Sequence, residues 1–170
     1  MVFMTTTASG SAEGTTTAGL EDAYRIGTPM TPVGFYPAFG PLPAVLEVRR
    51  QTGPWDAPGQ RRQLMLSDGG SVTETLVTVD APARFVYELS NFEKLFGRLV
   101  SGARAEWEYT PEGAGTHVHW RYTFFARPGA GPLLRAIVRF FWAPYMQRVL
   151  PGILREIGRA SCRERVYGTV

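Results

Sequence analysis

Ala103-Arg104-Ala105-Glu106-Trp107-Glu108-Tyr109-Thr110, followed after a short break by Thr116-His117-Val118-His119-Trp120-Arg121-Tyr122-Thr123-Phe124, decides the architecture of this chain. Apolar residues, most of them aromatic, take every second position and polar or charged residues fill the gaps, which is the period of strands that bury one face. Phe85, Tyr87 and Leu89 repeat the pattern upstream. Beyond Pro132 the spacing turns helical: Leu134, Ile137, Val138, Phe141, Tyr145, Val149, Ile153 and Leu154 form one broad stripe. Pro132 suits the first turn of that helix, and Pro144 inside it is expected to kink it near Phe140–Phe141. These patterns give an α+β fold: a curved antiparallel sheet of about six or seven strands, closed by one long C-terminal helix, with an apolar space between them.

Working outward from that hairpin, Ala44–Gln51, Gln60–Leu66, Ser71–Asp80 and Arg84–Ser90 read as further strands, and Asp22–Gly27 as a short first one. Ser67-Asp68-Gly69-Gly70 is a hairpin turn, because Asp-Gly and Gly-Gly tolerate positive φ. Pro111–Gly115 is a second turn. Thr28–Pro43, with five prolines, is a loop or a set of broken short helices. Asn91–Gly102 admits both a helical and a strand reading.

Residues 1–19 are Thr, Ser, Ala and Gly in the main and read as a disordered leader that buries too little to fold. Residues 157–170 contain Ile157-Gly158-Arg159-Ala160-Ser161-Cys162-Arg163-Glu164-Arg165-Val166, which resembles the translation of a sequencing-adapter read-through. They are expected to be a non-native tail, leaving 20–156 as one ligand-binding domain. The chain of 170 residues carries a net charge of +3, but without that tail it has 15 basic and 14 acidic residues. The basic balance is therefore not a nucleic-acid signal. The single cysteine, Cys162, lies in the tail, which excludes disulfides and thiolate metal sites elsewhere. Arg135, Arg139 and Arg148 interrupt the most apolar helix, so stable membrane insertion is not expected. With no secretory signal in view, the expected compartment is the cytoplasm.

Specific words along the chain resemble the SRPBCC superfamily, the START-like helix-grip group, and within it bacterial proteins of the polyketide cyclase/dehydrase and lipid transport type. They are Phe39-Gly40-Pro41-Leu42-Pro43-Ala44-Val45, Gln51-Thr52-Gly53-Pro54-Trp55-Asp56, Leu66-Ser67-Asp68-Gly69-Gly70 with Glu74, Gly115-Thr116 leading to Trp120-Arg121-Tyr122, and Trp142 with Tyr145-Met146. The resemblance spans roughly residues 22 to 156. It implies a seven-stranded sheet around a long helix and an apolar cavity. This chain departs from the pattern at its start, where the first strand looks thin and the helical segment after it is reduced. The superfamily shares no catalytic motif, so no catalytic residue is assigned.

Placing the turn at Asp68-Gly69-Gly70 pairs Leu66 with Val72, Leu64 with Glu74 and Arg62 with Leu76. One inner face then holds Arg62, Leu64, Leu66, Val72, Glu74 and Leu76. Arg62 and Glu74 become diagonal neighbours, and a buried charge requires such a partner. They are the candidate polar anchor or acid/base pair; a structural ion pair is the plainer reading. Phe85, Tyr87, Trp107, Tyr109, Trp120, Tyr122 and Phe124 from the sheet, with Phe141 and Tyr145 from the helix, complete the expected ligand-binding wall. Ordinary core packing competes with that role for each ring. His117 and His119 share the opposite, outer face with Arg121, so no metal site is expected, and no cofactor is implied.

Three functions fit. The first is non-enzymatic binding of a hydrophobic small molecule or lipid, driven by apolar burial of roughly 25 cal/mol per Å². The second is a cyclase or aromatase that bends a polyketide-like chain and moves protons through Glu74, Arg62 or a tyrosine. The third is a module whose aromatic helix docks on a partner or membrane surface. The oligomeric state is open.

Overall fold

The computed structural model describes residues 4–168. Strand β1 (Thr7–Thr16) is followed by helix α1 (Leu20–Gly27) and strands β2 (Val45–Arg49), β3 (Arg61–Leu66), β4 (Ser71–Asp80) and β5 (Arg84–Ser90). Helix α2 (Lys94–Leu99), strands β6 (Val100–Glu112) and β7 (Gly115–Ala126), and the C-terminal helix complete the chain. The seven strands form one antiparallel sheet in the order β1-β7-β6-β5-β4-β3-β2. Bulges at Val45/Glu47, Leu76/Thr78 and Val100/Gly102 break the ladders and bend the strands that carry them. The helix-grip α+β architecture expected from the sequence is therefore present.

Its first strand is not where the alternation places it. Asp22–Gly27 lies in α1, and Thr7–Thr16, within the expected disordered leader, is a strand of 10 residues paired along its length with β7. The first strand is thus long rather than thin. Its inward residues are Ala8, Gly10, Ala12, Gly14 and Thr16, which carry almost no hydrophobic signal. They are small because the C-terminal helix lies on them. A Cβ on Gly10 would meet Met146 Sδ at 3.2 Å and Ala143 Cβ at 3.3 Å, and one on Gly14 would meet Leu154 Cδ1 at 2.7 Å. Residues 1–3 of the expected leader fall outside the described part.

The β3–β4 register also differs. Arg62 pairs with Glu74 and Leu64 with Val72, so Leu66 ends β3 opposite Gly70. The slip is by two residues, which preserves the face of every side chain and brings Arg62 and Glu74 directly opposite each other. In the ambiguous segment after β5, α2 comes first and β6 then runs, past its bulge at Val100/Gly102, to the Glu112–Gly115 turn.

The C-terminal helix has three parts: α3 (Gly131–Ile137), a π-helical segment (Val138–Trp142) and α4 (Ala143–Tyr167). The π segment stands just ahead of Pro144, where proline lacks an N–H and crowds the carbonyl four residues earlier. It adds a residue to the turn and rotates the helix beyond it, so Trp142 turns to the interior with Tyr145. α4 continues through the residues expected to be a tail as far as Tyr167, with Ile157 and Ser161 fully buried and Ser161 Oγ donating to Asp22 of α1. Residues 169–170 of that tail fall outside the described part.

Candidate functional site: an aromatic-lined cavity

The sheet's inner face alternates large and small side chains across strands as well as along them. Phe85 on β5, Trp107 on β6 and Trp120 on β7 stack in a row, with ring centroids 5.8 Å and 4.8 Å apart. One layer further on, Tyr87 and Tyr122 both face Ala105, and Leu89 and Phe124 both face Ala103. Alanines between rings leave the sheet concave. The helix supplies Trp142, 4.6 Å from Tyr122 and 5.3 Å from Phe124 between centroids, and Tyr145 beside it.

A hollow of about 130 Å³ lies between these walls. Its lining includes Arg62, Leu64, Leu66, Glu74, Phe85, Tyr87, Trp107, Tyr122, Phe124 and Tyr145. Four other residues expected there lie elsewhere. Leu76 is fully buried but is not part of the lining, and Tyr109 packs against Tyr24 of α1. Trp120 lies beneath Trp107 and is sealed by Tyr36, while Phe141 contacts Phe39 outside the hollow. Phe141 follows the straight helical stripe, and the added π residue hands its place to Trp142.

The roof has no counterpart among the residues expected from the sequence. Thr28–Pro43 is a loop, as its prolines imply, and it crosses the hollow with Met30, Phe35, Tyr36 and Leu42. Phe39 stacks on Tyr145 at 5.9 Å, and the Tyr145 hydroxyl donates to Pro37 O at 2.5 Å. Gly40 has a φ of +54°, and a Cβ there would meet Phe141 Cδ1 at 2.7 Å. No periodicity marks such a loop. The nearest signal is its density of rings between prolines.

Arg62 and Glu74 form the hollow's buried charged pair, and the carboxylates of Asp68 and Glu93 also border it. Arg62 Nε donates to Glu74 Oε2 at 2.6 Å, with the side chains only 5% and 4% exposed. The guanidinium also lies 4.2 Å from the ring centre of Trp55, itself fully buried on a left-handed backbone at φ +62°. Both charges thus stay inside because each has a partner and the cation has an aromatic face as well. Burial pushes the hydroxyls of Tyr36, Tyr87 and Tyr122 well above the usual phenol range and that of Tyr145 up to about 12. At neutral pH they remain protonated, as hydrogen-bonding groups and not as bases. Trp142 Nε1 is buried with no hydrogen-bond partner among the described residues, and so are Trp107 Nε1 and Thr28 Oγ1 of the same lining. An unpaired buried N–H costs about 1–3 kcal/mol.

His117 and His119 lie on the outer face, His117 within 3.4 Å of Glu13 and 3.6 Å of Glu112. Among the described residues no three His, Cys, Asp or Glu side chains are grouped to hold a metal, and no helix is long and apolar enough to cross a membrane.

A family model described as polyketide cyclase / dehydrase and lipid transport matches residues 34–158. No curated protein matches the chain. Among solved structures, Ara h 8.0201 is similar at a TM-score of 0.58 and 14% identity, covering 92% of this chain and 99% of that one. Norcoclaurine synthase from Thalictrum flavum, in complex with dopamine and hydroxybenzaldehyde, is similar at 0.65 and 10% identity, covering 94% and 88%. The di-domain ARO/CYC StfQ from the steffimycin biosynthetic pathway is similar at 0.59 and 19% identity over 95% of this chain, which spans about half (52%) of StfQ. At these identities the likeness is one of fold.

Proposed function

We propose that this chain, which belongs to the polyketide cyclase / dehydrase and lipid transport family, binds a small uncharged hydrophobic molecule in its cavity without transforming it. The observation that carries this reading is the hollow itself. Its volume of about 130 Å³ is near the ~150 Å³ of an engineered apolar cavity that takes up benzene, and below the ~300–1,000 Å³ of drug-sized pockets. A single ring or a short branched chain fits that space; a fused polycycle or a full acyl lipid does not fit without the roof loop moving. The Trp142 N–H favours a ligand with one acceptor oxygen, which would satisfy it. Norcoclaurine synthase, a structural neighbour, holds single-ring hydroxylated molecules, which agrees with this size class.

The cyclase reading rests on Glu74 and Arg62 lining the hollow. Against it, the two groups are already joined to each other, and the tyrosines are held in their protonated form. A cyclase would have to take the proton on Glu74 while Arg62, hydrogen-bonded to Oε2, stabilises the charged carboxylate.

The test combines native mass spectrometry of the purified protein with extraction of any co-purified compound, then titration with phenol and with toluene. We expect phenol to bind more tightly than toluene, and the preference to shrink in Trp142→Phe. Equal affinity for the two, or no uptake of either, overturns the reading. Turnover of a polyketide-like substrate that Glu74→Gln abolishes would establish the cyclase instead.

A further inference from the structure

We propose that α2, the loop after β7 and the start of the C-terminal helix together form a docking face for an anionic lipid surface. Three large apolar side chains stand out on these elements: Leu95 is 45% exposed, Leu133 53% and Phe140 63%. α2 packs against α3, and Arg127 Nε donates to Gly97 O at 2.8 Å, tying the loop after β7 to α2. Leu133 and Phe140 lie two turns apart on the same helix. Exposed apolar residues scattered singly need no explanation, but these are interleaved with cations.

Lys94, Arg98, Arg127, Arg135 and Arg139 are all exposed on the same elements. The Arg139 guanidinium lies 5.4 Å from the Phe140 ring centre. No Asp or Glu occurs from Lys94 to Ala105 or from Gly113 to Arg155. Glu93, just ahead of α2, is engaged by the Ser71 backbone N–H and hydroxyl. Elsewhere some exposed arginines meet carboxylates, as in Arg25–Glu164, Arg104–Glu88 and Arg163–Glu156, while Arg50, Arg61, Arg121, Arg148, Arg155 and Arg159 are exposed without an ion pair among the described residues. What sets this face apart is that its cations are interleaved with exposed large apolar side chains. None of the five cations on this face forms an ion pair among the described residues. Arg135 and Arg139 are also four apart on a helix, a spacing at which like charges destabilise it. Helix stability therefore does not account for them. Rings and aliphatic side chains set among unpaired cations match a bilayer's apolar interior under anionic head groups. A helical protein ligand would need a groove, and a surface cleft is found elsewhere, along the solvent-side flank of the β1–α4 contact, outside the packed interior.

The face adjoins the cavity. Phe92 and Phe96, before and within α2, and Trp142, at the end of the π segment, all line the hollow. A docked molecule would let an apolar guest pass between bilayer and cavity without crossing bulk water. That consequence rests on the binding role proposed above; the docking face does not.

Co-flotation of the full chain with vesicles tests it. The chain should float with equal parts phosphatidylcholine and phosphatidylglycerol, not with phosphatidylcholine alone, and less as salt rises. Each cation near such a surface contributes about fivefold in partitioning, so Arg135→Glu with Arg139→Glu should reduce it by at least about 25-fold. Leu133→Ser with Phe140→Ser should weaken it at every salt concentration. Circular dichroism should be unchanged, since all four positions are exposed. Phenol binding measured on the same variants separates the two proposals: flotation lost with phenol retained supports the face alone. No flotation, equal flotation with neutral vesicles, or indifference to charge reversal overturns the proposal. So does a dimer in sedimentation that Phe140→Ser dissociates, which would assign the face to a second copy, or binding to polyglutamate without binding to vesicles.

Discussion

Where α4 crosses β1, the interior is solid; where the sheet runs on through β5, β4 and β3, it is hollow. One sheet and one helix make both. At the β1 end the inward residues are Ala8, Gly10, Ala12 and Gly14, and Met146, Leu150 and Leu154 come down onto them. At the other end the inward residues are Tyr87, Leu89, Leu64 and Val72, opposed by Trp142 and Tyr145. Small side chains let helix and strand touch along a line. Large rings hold the same helix away, and they cannot fill the wedge that results because Ala103 and Ala105 lie between them. A grip on one edge thus sets the gap on the other.

The largest expected effect breaks the hollow end. Arg62→Ala leaves the Glu74 carboxylate buried without its cation and should cost about 3–5 kcal/mol in urea unfolding. Replacing both residues by leucine should recover most of that loss. If the single variant unfolds like the wild type, the pair is not a sealed part of the interior.

Alkaline pH attacks the same end. The buried Tyr87 and Tyr122 hydroxyls ionise far less readily folded than unfolded. Their stabilising effect is complete below the ordinary phenol pKa of 10 and is lost as pH rises towards the folded values. Tyr36, Tyr109 and Tyr145 are raised by burial as well, so unfolding free energy should fall by about 1.4 kcal/mol per pH unit for each such group, and Tyr122→Phe should remove one group's share of the slope. Phenolate absorbance tracked alongside unfolding is the measurement.

Adding volume at each end sharpens the contrast. Gly14→Leu must displace Leu154 and should cost about 1–3 kcal/mol. Val72→Phe points into the free space and should change stability by less than about 1 kcal/mol, while excluding phenol. Equal costs at the two positions would mean that the ends do not differ in packing.

The smallest effect lies on the solid side, at the α1–α4 contact. The Asp22 carboxyl is held below its ordinary range, first by Arg25 and then by Ser161. It therefore stabilises the fold above the ordinary carboxylate pKa, and that contribution disappears as pH falls through the lowered value. Asp22 is partly exposed, so solvent screening keeps the difference in Asp22→Asn below about 1 kcal/mol, visible only in the acid limb.

Much of this is legible in the chain. The period-two rings of β5, β6 and β7, the Asp68-Gly69 turn and the helical stripe after Pro132 are local patterns, and local patterns survive in sequence. So does the pairing of Arg62 with Glu74, because an even register slip preserves faces. β1 escapes such a reading because a strand built to lie under a helix must shed the side chains that would announce it. Phe141 falls in the expected wall because a straight helix puts it there.

The sequence alone determined which residues face inward on β3 to β7, and hence an α+β fold with an aromatic interior, because side-chain alternation is a property of the extended backbone itself. Only the tertiary structure decided that the interior is partly empty, which rings border the space and where the loop closes it. Those depend on the distance between helix and sheet, and that distance is fixed by glycines and alanines far along the chain from the rings that line the gap.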